Sequence, residues 1–129
     1  MHSRTDVESL FGDPVNASVE RAISEFRAGR PIVIVDGHQA LVATGVEALE
    51  PALASALGRL GPAHLVLPPA RLRRLGVERA APGMIALPAV DLARVETLAL
   101  KIDARIDAPV GPAGPLDVVA LELASLALL

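Results

Sequence analysis

Apolar residues recur along the chain at two different periods, and the changes between them mark out the elements. Val19, Ala22, Ile23 and Phe26 follow the i, i+3, i+4, i+7 spacing of a helix with one buried stripe. Ser18 is placed to cap that helix and Gly29 to close it in a left-handed turn. Pro31 then opens Ile32-Val33-Ile34-Val35, a run of β-branched residues that suits a strand buried on both faces. Asp36-Gly37 readily takes the positive φ of a tight turn, so Ala40 to Thr44 is expected to pair back and complete a β-hairpin.

Beyond the hairpin the helical period returns. Pro51 follows Glu50 at a first helical position, where its missing N–H costs nothing; Leu53, Ala56, Leu57 and Leu60 line one side, and Gly61 stops the helix. Ala63-His64-Leu65-Val66-Leu67 reads as a third strand ended by Pro68-Pro69, and a short basic helix from Ala70 to Leu75 is closed by Gly76. Met84 to Leu87 reads as a fourth strand, and Asp91 can cap a helix running to about Lys101. Residues 108–115 hold three Pro and two Gly, and read as a linker or extended loop without regular structure. Leu116 to Leu129 is helical in composition, with Asp117 and Glu122 as its only charges. A helix so apolar has to be covered all round. Its pattern stops without a terminal cap, so either it docks in a dimer interface or a longer protein continues past Leu129; the second is the expectation.

These elements describe an α/β (α+β) chain with a mixed β-sheet and flanking helices. A polar stretch, residues 1–15, closes on Gly12-Asp13-Pro14 and reads as a flexible leader; residues 16–129 read as one domain. A length of 129 residues suits a single core.

Composition narrows the function. The apolar fraction of 52 % comes from Ala, Leu and Val, and Phe11 and Phe26 are the only aromatics. Single-stranded nucleic acids stack on aromatic rings, and phosphate backbones demand a basic face. A formal charge of −3 and a pI near 5.5 supply neither, so no nucleic-acid partner is expected. With no cysteine, disulfides, thiolate chemistry and thiolate-held zinc or iron–sulfur clusters are excluded. The first residues lack the apolar centre of a signal peptide, and no run approaches the roughly 18 apolar residues that span a bilayer. A cytoplasmic protein without a membrane partner is expected.

Few residues offer chemistry. Asp36 and His38 flank the predicted turn, where a carboxylate and an imidazole could bind a ligand or move a proton, or could serve only the turn and the solvent. Arg71, Arg73, Arg74 and Arg79 lie within nine positions, with Arg71 and Arg74 on one helix face. They could receive a phosphate or an acidic partner, or form the solvated face of a short helix. His64 sits in an apolar strand as a core or edge residue rather than a ligand, and Gly111-Pro112-Ala113-Gly114 has too few backbone donors for a phosphate loop. Ser9, Ser18, Ser24, Ser55 and Ser125 occupy no nucleophile elbow. No catalytic residue, metal ligand or cofactor is assigned.

Two segments carry a family likeness. Residues 18–36, SVERAISEFRAGRPIVIVD, resemble the opening of dihydroxybutanone-phosphate synthase, a helix followed by an AGRP-like turn and a VVVVD-like strand. Residues 63–77, AHLVLPPARLRRLGV, resemble that family's strand, proline or threonine, and helix ending in RLGL. The likeness covers about residues 18–90 and implies a shortened synthase-like fold of the riboflavin pathway. In the family an acidic loop of the form DEDRENEGD follows the strand; its carboxylates bind magnesium and its Arg contacts the sugar phosphate. Here Asp36 is followed by Gly37-His38-Gln39 and at once by the next strand. The family's second metal ligand is the His of a GHTEA-like segment, and the counterpart Gly114-Pro115-Leu116-Asp117-Val118 holds Pro115 in its place.

The resemblance therefore implies a domain that has lost its magnesium site and its catalysis. Such a domain is similar to the N-terminal region of some bacterial GTP cyclohydrolase II proteins, which implies assembly or regulation, a homodimer, and a cyclohydrolase domain beyond this chain. The rival expectation is an enzyme, or a sugar-phosphate or nucleotide binder, rebuilt around Asp36, His38 and the Arg71 to Arg79 cluster.

Overall fold

The computed structural model describes residues 14–127. Most of the predicted leader, and Leu128 and Leu129 of the predicted last helix, lie outside them. Helix α1 spans Pro14–Arg27, so Ser18 lies inside the helix rather than at its cap. Proline favours the first helical turn, where no N–H is needed, and that places the start earlier than the polar cap suggested. Gly29 closes the helix at φ +80°, with Arg30 N–H reaching back to the Glu25 carbonyl, as expected of a left-handed cap.

Strands β1 (Ile32–Asp36) and β2 (Gln39–Ala43) form the predicted hairpin, with Ile32 opposite Ala43 and Asp36 opposite Gln39. Asp36 thus ends a strand, and the turn is Gly37-His38, with Gly37 at φ +59°. Glycine at the first central position supplies that angle without steric cost. Contrary to the expected burial on both faces, Ile32 is buried while Val33 and Val35 are 65 % and 66 % exposed. Among the described residues the β1–β2 sheet has two strands, and α1 and the last helix cover one side of it.

A 3-10 turn at Val46–Ala48 leads to α2 (Pro51–Leu60), stopped by Gly61 at φ +136°. Then come β3 (Ala63–Leu67), α3 (Pro69–Arg74), β4 (Gly83–Leu87), α4 (Leu92–Leu100), β5 (Gly111–Pro112) and α5 (Pro115–Leu126). Asp91 caps α4 as expected, its carboxylate accepting from Ala93 N–H at 3.0 Å.

The fold is α+β, with two small antiparallel sheets, β1-β2 and β3-β4-β5, and flanking helices. Among the described residues every ladder is antiparallel, where a single mixed sheet was expected. Helix α3 and the loop after it bring the chain back to the end of β3 at which it left. Accordingly β4 starts where β3 stops, with Leu67 opposite Gly83. The Pro/Gly segment expected to be irregular adds β5, pairing Gly111 with Met84 and Pro112 with Gly83. An edge position tolerates proline because no ladder bond is required from its nitrogen.

Aliphatic side chains build two cores. Leu65, Leu67, Leu72, Leu75, Ile85, Leu87, Val95 and Leu98 pack together between the three-stranded sheet, α3 and α4. Phe26, Ile32 and Ala127, with Ile23, Ile34 and Leu123, form a smaller cluster among α1, the hairpin and α5. Helix α5 touches α1, β1, β2 and β3, and so spans the two. The loop before β5 is pinned by Ile106 N–H to the Leu75 carbonyl at 3.2 Å and by Arg94 to Asp107 at 3.0 Å, and this guanidinium holds the Asp107 carboxyl below its ordinary value.

Gly83 marks the tightest joint of the larger core. A Cβ there would stand 2.6 Å from Val110 Cγ1 and 3.0 Å from Leu72 Cδ1, against atoms that are themselves packed. Gly83→Ala is therefore expected to lower stability by about 1–3 kcal/mol, read as a reduced midpoint in chemical denaturation, whereas an unchanged midpoint would mean that β5 moves aside at no cost.

Candidate functional site

The four candidate ligand residues do not come together. Asp36 and His38 are exposed at the hairpin tip, in the part of the chain that packs with α1 and α5. Arg71 and Arg74 belong to α3, which packs under the three-stranded sheet.

Arg71 has a structural employment. Its Nε donates to the Leu98 carbonyl at 2.8 Å, and one terminal nitrogen donates to Thr97 and Lys101 carbonyls at 3.1 and 2.7 Å. These are carbonyls of the last turn of α4 and of Lys101, the residue that ends it, where helix carbonyls run out of intrahelical partners. A fork of fixed donors suits such a cluster of acceptors better than a point charge does. Arg79 similarly donates to the Val110 carbonyl at 3.3 Å, and Arg73 lies 3.7 Å from Glu78 with both side chains mostly exposed. Arg74 is exposed; its carbonyl, not its side chain, receives Arg105. The basic run thus caps one helix and complements the C-terminal dipole of its own.

The pair that the fold does assemble lies outside these candidates. His64 on β3 and Asp117 in the first turn of α5 meet with Nε2 and Oδ1 2.7 Å apart, 53 positions apart in the chain. The other carboxylate oxygen, Oδ2, accepts Gly114 N–H at 2.8 Å, closing the start of α5. Strand alternation turns Leu65 and Leu67 into the core and leaves His64 on the opposite face, where α5 crosses. Asp117 is third after the Gly114 cap, the position from which an acidic side chain reaches back to the cap nitrogen. That spacing, and a lone acid at the head of an apolar helix, were legible in the sequence. His64 as the partner was not.

The Asp117 side chain is 8 % exposed and that of His64 30 % exposed. A carboxylate oxygen accepts, so the imidazole nitrogen Nε2 serves as the donor of this bond. No third group of the metal-ligating kind stands with the pair among the described residues. A depression runs between α2 and the loop after β4, lined by Gly58, Ala63, Ala86, Pro88, Ala89 and Val90; none of Asp36, His38, Arg71 and Arg74 lines it.

Magnesium, which the family likeness implies for an active synthase, does not fit the residues at the corresponding places. Asp36 is a single exposed carboxylate beside a two-residue turn, and Pro115 opens α5 with no ligand atom. Set against family models, curated proteins and solved structures, the chain matches none.

Two outcomes are expected from this geometry. In a double-mutant cycle read by chemical denaturation, Asp117→Ala lowers stability by about 2–3 kcal/mol, His64→Ala by about 1–2 kcal/mol, and the pair couples by about 1 kcal/mol; strict additivity would show that the contact contributes nothing. Arg71→Ala lowers stability by about 1–2 kcal/mol and speeds amide exchange in the last turn of α4, and Arg71→Lys recovers only part, since an ammonium cannot span three carbonyls. Full recovery by lysine would contradict the capping role.

Proposed function

We propose that this chain is a non-catalytic, dihydroxybutanone-phosphate-synthase-like domain, of the kind that precedes the cyclohydrolase domain in some bacterial GTP cyclohydrolase II proteins, and that it serves assembly or regulation as a homodimer. One observation carries the reading. The chain passes from β1 to β2 through Gly37 and His38 alone, at the place where the synthase family holds its acidic loop. A two-residue turn has no room for carboxylates that would converge on a metal and a sugar phosphate. The engagement of Arg71 with α4 adds to this, because it withdraws the most favourably placed guanidinium from any phosphate. A complete hairpin with a regular ladder supports excision of the loop with retention of the fold.

A rebuilt site remains the competing reading, and the observation that favours it is the His64–Asp117 pair, a carboxylate-oriented imidazole. The two are separated by assay. The purified chain, given ribulose 5-phosphate and magnesium, is expected to form no dihydroxybutanone phosphate above the protein-free control; clear product formation overturns the proposal. Calorimetric titration with sugar phosphates, nucleotides and divalent cations is expected to give no heat of binding, and a saturable signal lost in His64→Ala would decide for the rebuilt site.

A further inference from the structure

We infer that Asp36 is a site of spontaneous covalent modification, where the Gly37 backbone nitrogen closes on the Asp36 side chain and converts the residue to isoaspartate. Ring closure needs three things: an amide nitrogen next to the carboxyl, no bulky side chain on the following residue, and a backbone able to turn. The hairpin tip supplies them together. Asp36-Gly37 is the only Asp-Gly pair in the sequence. Residues 35–40 are exposed, and a Cβ built on Gly37 would meet nothing within 4 Å. The ladder closes at Asp36 and Gln39, so the Gly37 N–H lies inside the two-residue turn and forms no rung.

The other aspartates among the described residues are held back. Asp91 accepts from Ala93 N–H and is followed by helical Leu92; Asp107 is engaged by Arg94. Asp117 is buried between Gly114 N–H and His64, with helical Val118 next. Regular, hydrogen-bonded backbone resists the rotation that closure requires. Asp103 is as exposed as Asp36, but Ala104 sets a methyl group beside the attacking nitrogen. Asp36 alone combines exposure, an open turn and a glycine neighbour.

The chemistry balances without any partner molecule. The Gly37 nitrogen bonds to Asp36 Cγ, and one carboxyl oxygen leaves as water, carrying the amide's proton and one from solvent. The product is a five-membered cyclic imide. Water then adds to one of its two carbonyls and a proton is returned: cleavage at Cγ restores aspartate, and cleavage at the main-chain carbonyl leaves isoaspartate. The mass is unchanged, but the main chain now runs through Cβ and is one atom longer. A two-residue turn fixes the register of its hairpin, so the Asp36–Gln39 pair is the part disturbed. Ile32 and Ala43, at the far end of the ladder, keep their place in the smaller core.

The test is to hold the full chain at neutral pH and physiological temperature for weeks. Isoaspartate is read by methylation with an isoaspartyl methyltransferase and located by electron-transfer fragmentation of the peptides. It is expected at residue 36, forming about tenfold faster than at Asp103, whose neighbour has a side chain. The native rate is expected to lie within about tenfold of that in urea, because the last rung of a hairpin opens readily. Asp36→Asn keeps the turn, which Asn-Gly suits, and is expected to lose ammonia at residue 36 faster still, ammonia being the better leaving group. Asp36→Glu, whose ring would be one atom larger, is expected to accumulate none. A rate at Asp103 matching that at residue 36, a native rate more than about tenfold below that in urea, or an Asp36→Asn chain that stays intact overturns the inference.

Discussion

Asp117 is the one buried charged group among the described residues, and the placement of α5 depends on how its carboxylate is satisfied. An ion withdrawn from water is costly unless hydrogen bonds replace its hydration. Here Gly114 N–H and His64 Nε2–H divide the two oxygens between them, and the positive end of the α5 dipole lies beside the charge. The first of these bonds fixes where the helix begins. The second fixes which strand it crosses. From that point α5 runs over the hairpin to α1, and Leu123, Ala124 and Ala127 complete the smaller core. A polar pair at the head of the helix thereby joins two clusters of aliphatic side chains that would otherwise be held together by little more than apolar contact.

The need for such a joint follows from the composition. With Phe26 as the only aromatic in either cluster among the described residues, the rest of each core is assembled from Leu, Ile, Val and Ala, whose individual burial is modest. The larger core compensates by close approach. Gly83 lets Val110, Leu72 and the β5 backbone come within distances that any side chain would forbid. The smaller core has a sheet of two strands, which is marginal without a packed face. It gains that face from α1 and α5, while Val33, Val35 and Val42 on the opposite one stay exposed. The apolar strand pattern that suggested burial on both sides is thus realised as one packed side and one exposed side.

Residues with the chemistry of a site are put to structural use. Arg71, which by type and position could have held a phosphate, spends its donors on the carbonyls of α4. Asp91 caps the other end of the same helix. His64, which by its place in an apolar strand looked inert, holds the only buried carboxylate among the described residues. Residue type therefore indicated the kinds of bond available, while the atoms on the far side of those bonds came from other elements.

What the sequence by itself determined is local. The ends of α2 and β3, the capping of α4 by Asp91 and the left-handed closures at Gly29 and Gly76 all match the structure to within a residue, because proline, glycine and capping side chains act on their own neighbours. Hydrophobic period separated helices from strands for the same reason. Only the tertiary structure decided the strand directions, the pairing of β5 with β4, the exposure of Val33 and Val35, and the partners of Arg71 and His64. Each of these depends on atoms tens of positions away, and neither period nor turn chemistry specifies which distant surface an element meets. A pattern says that a face must be covered; packing alone says by what.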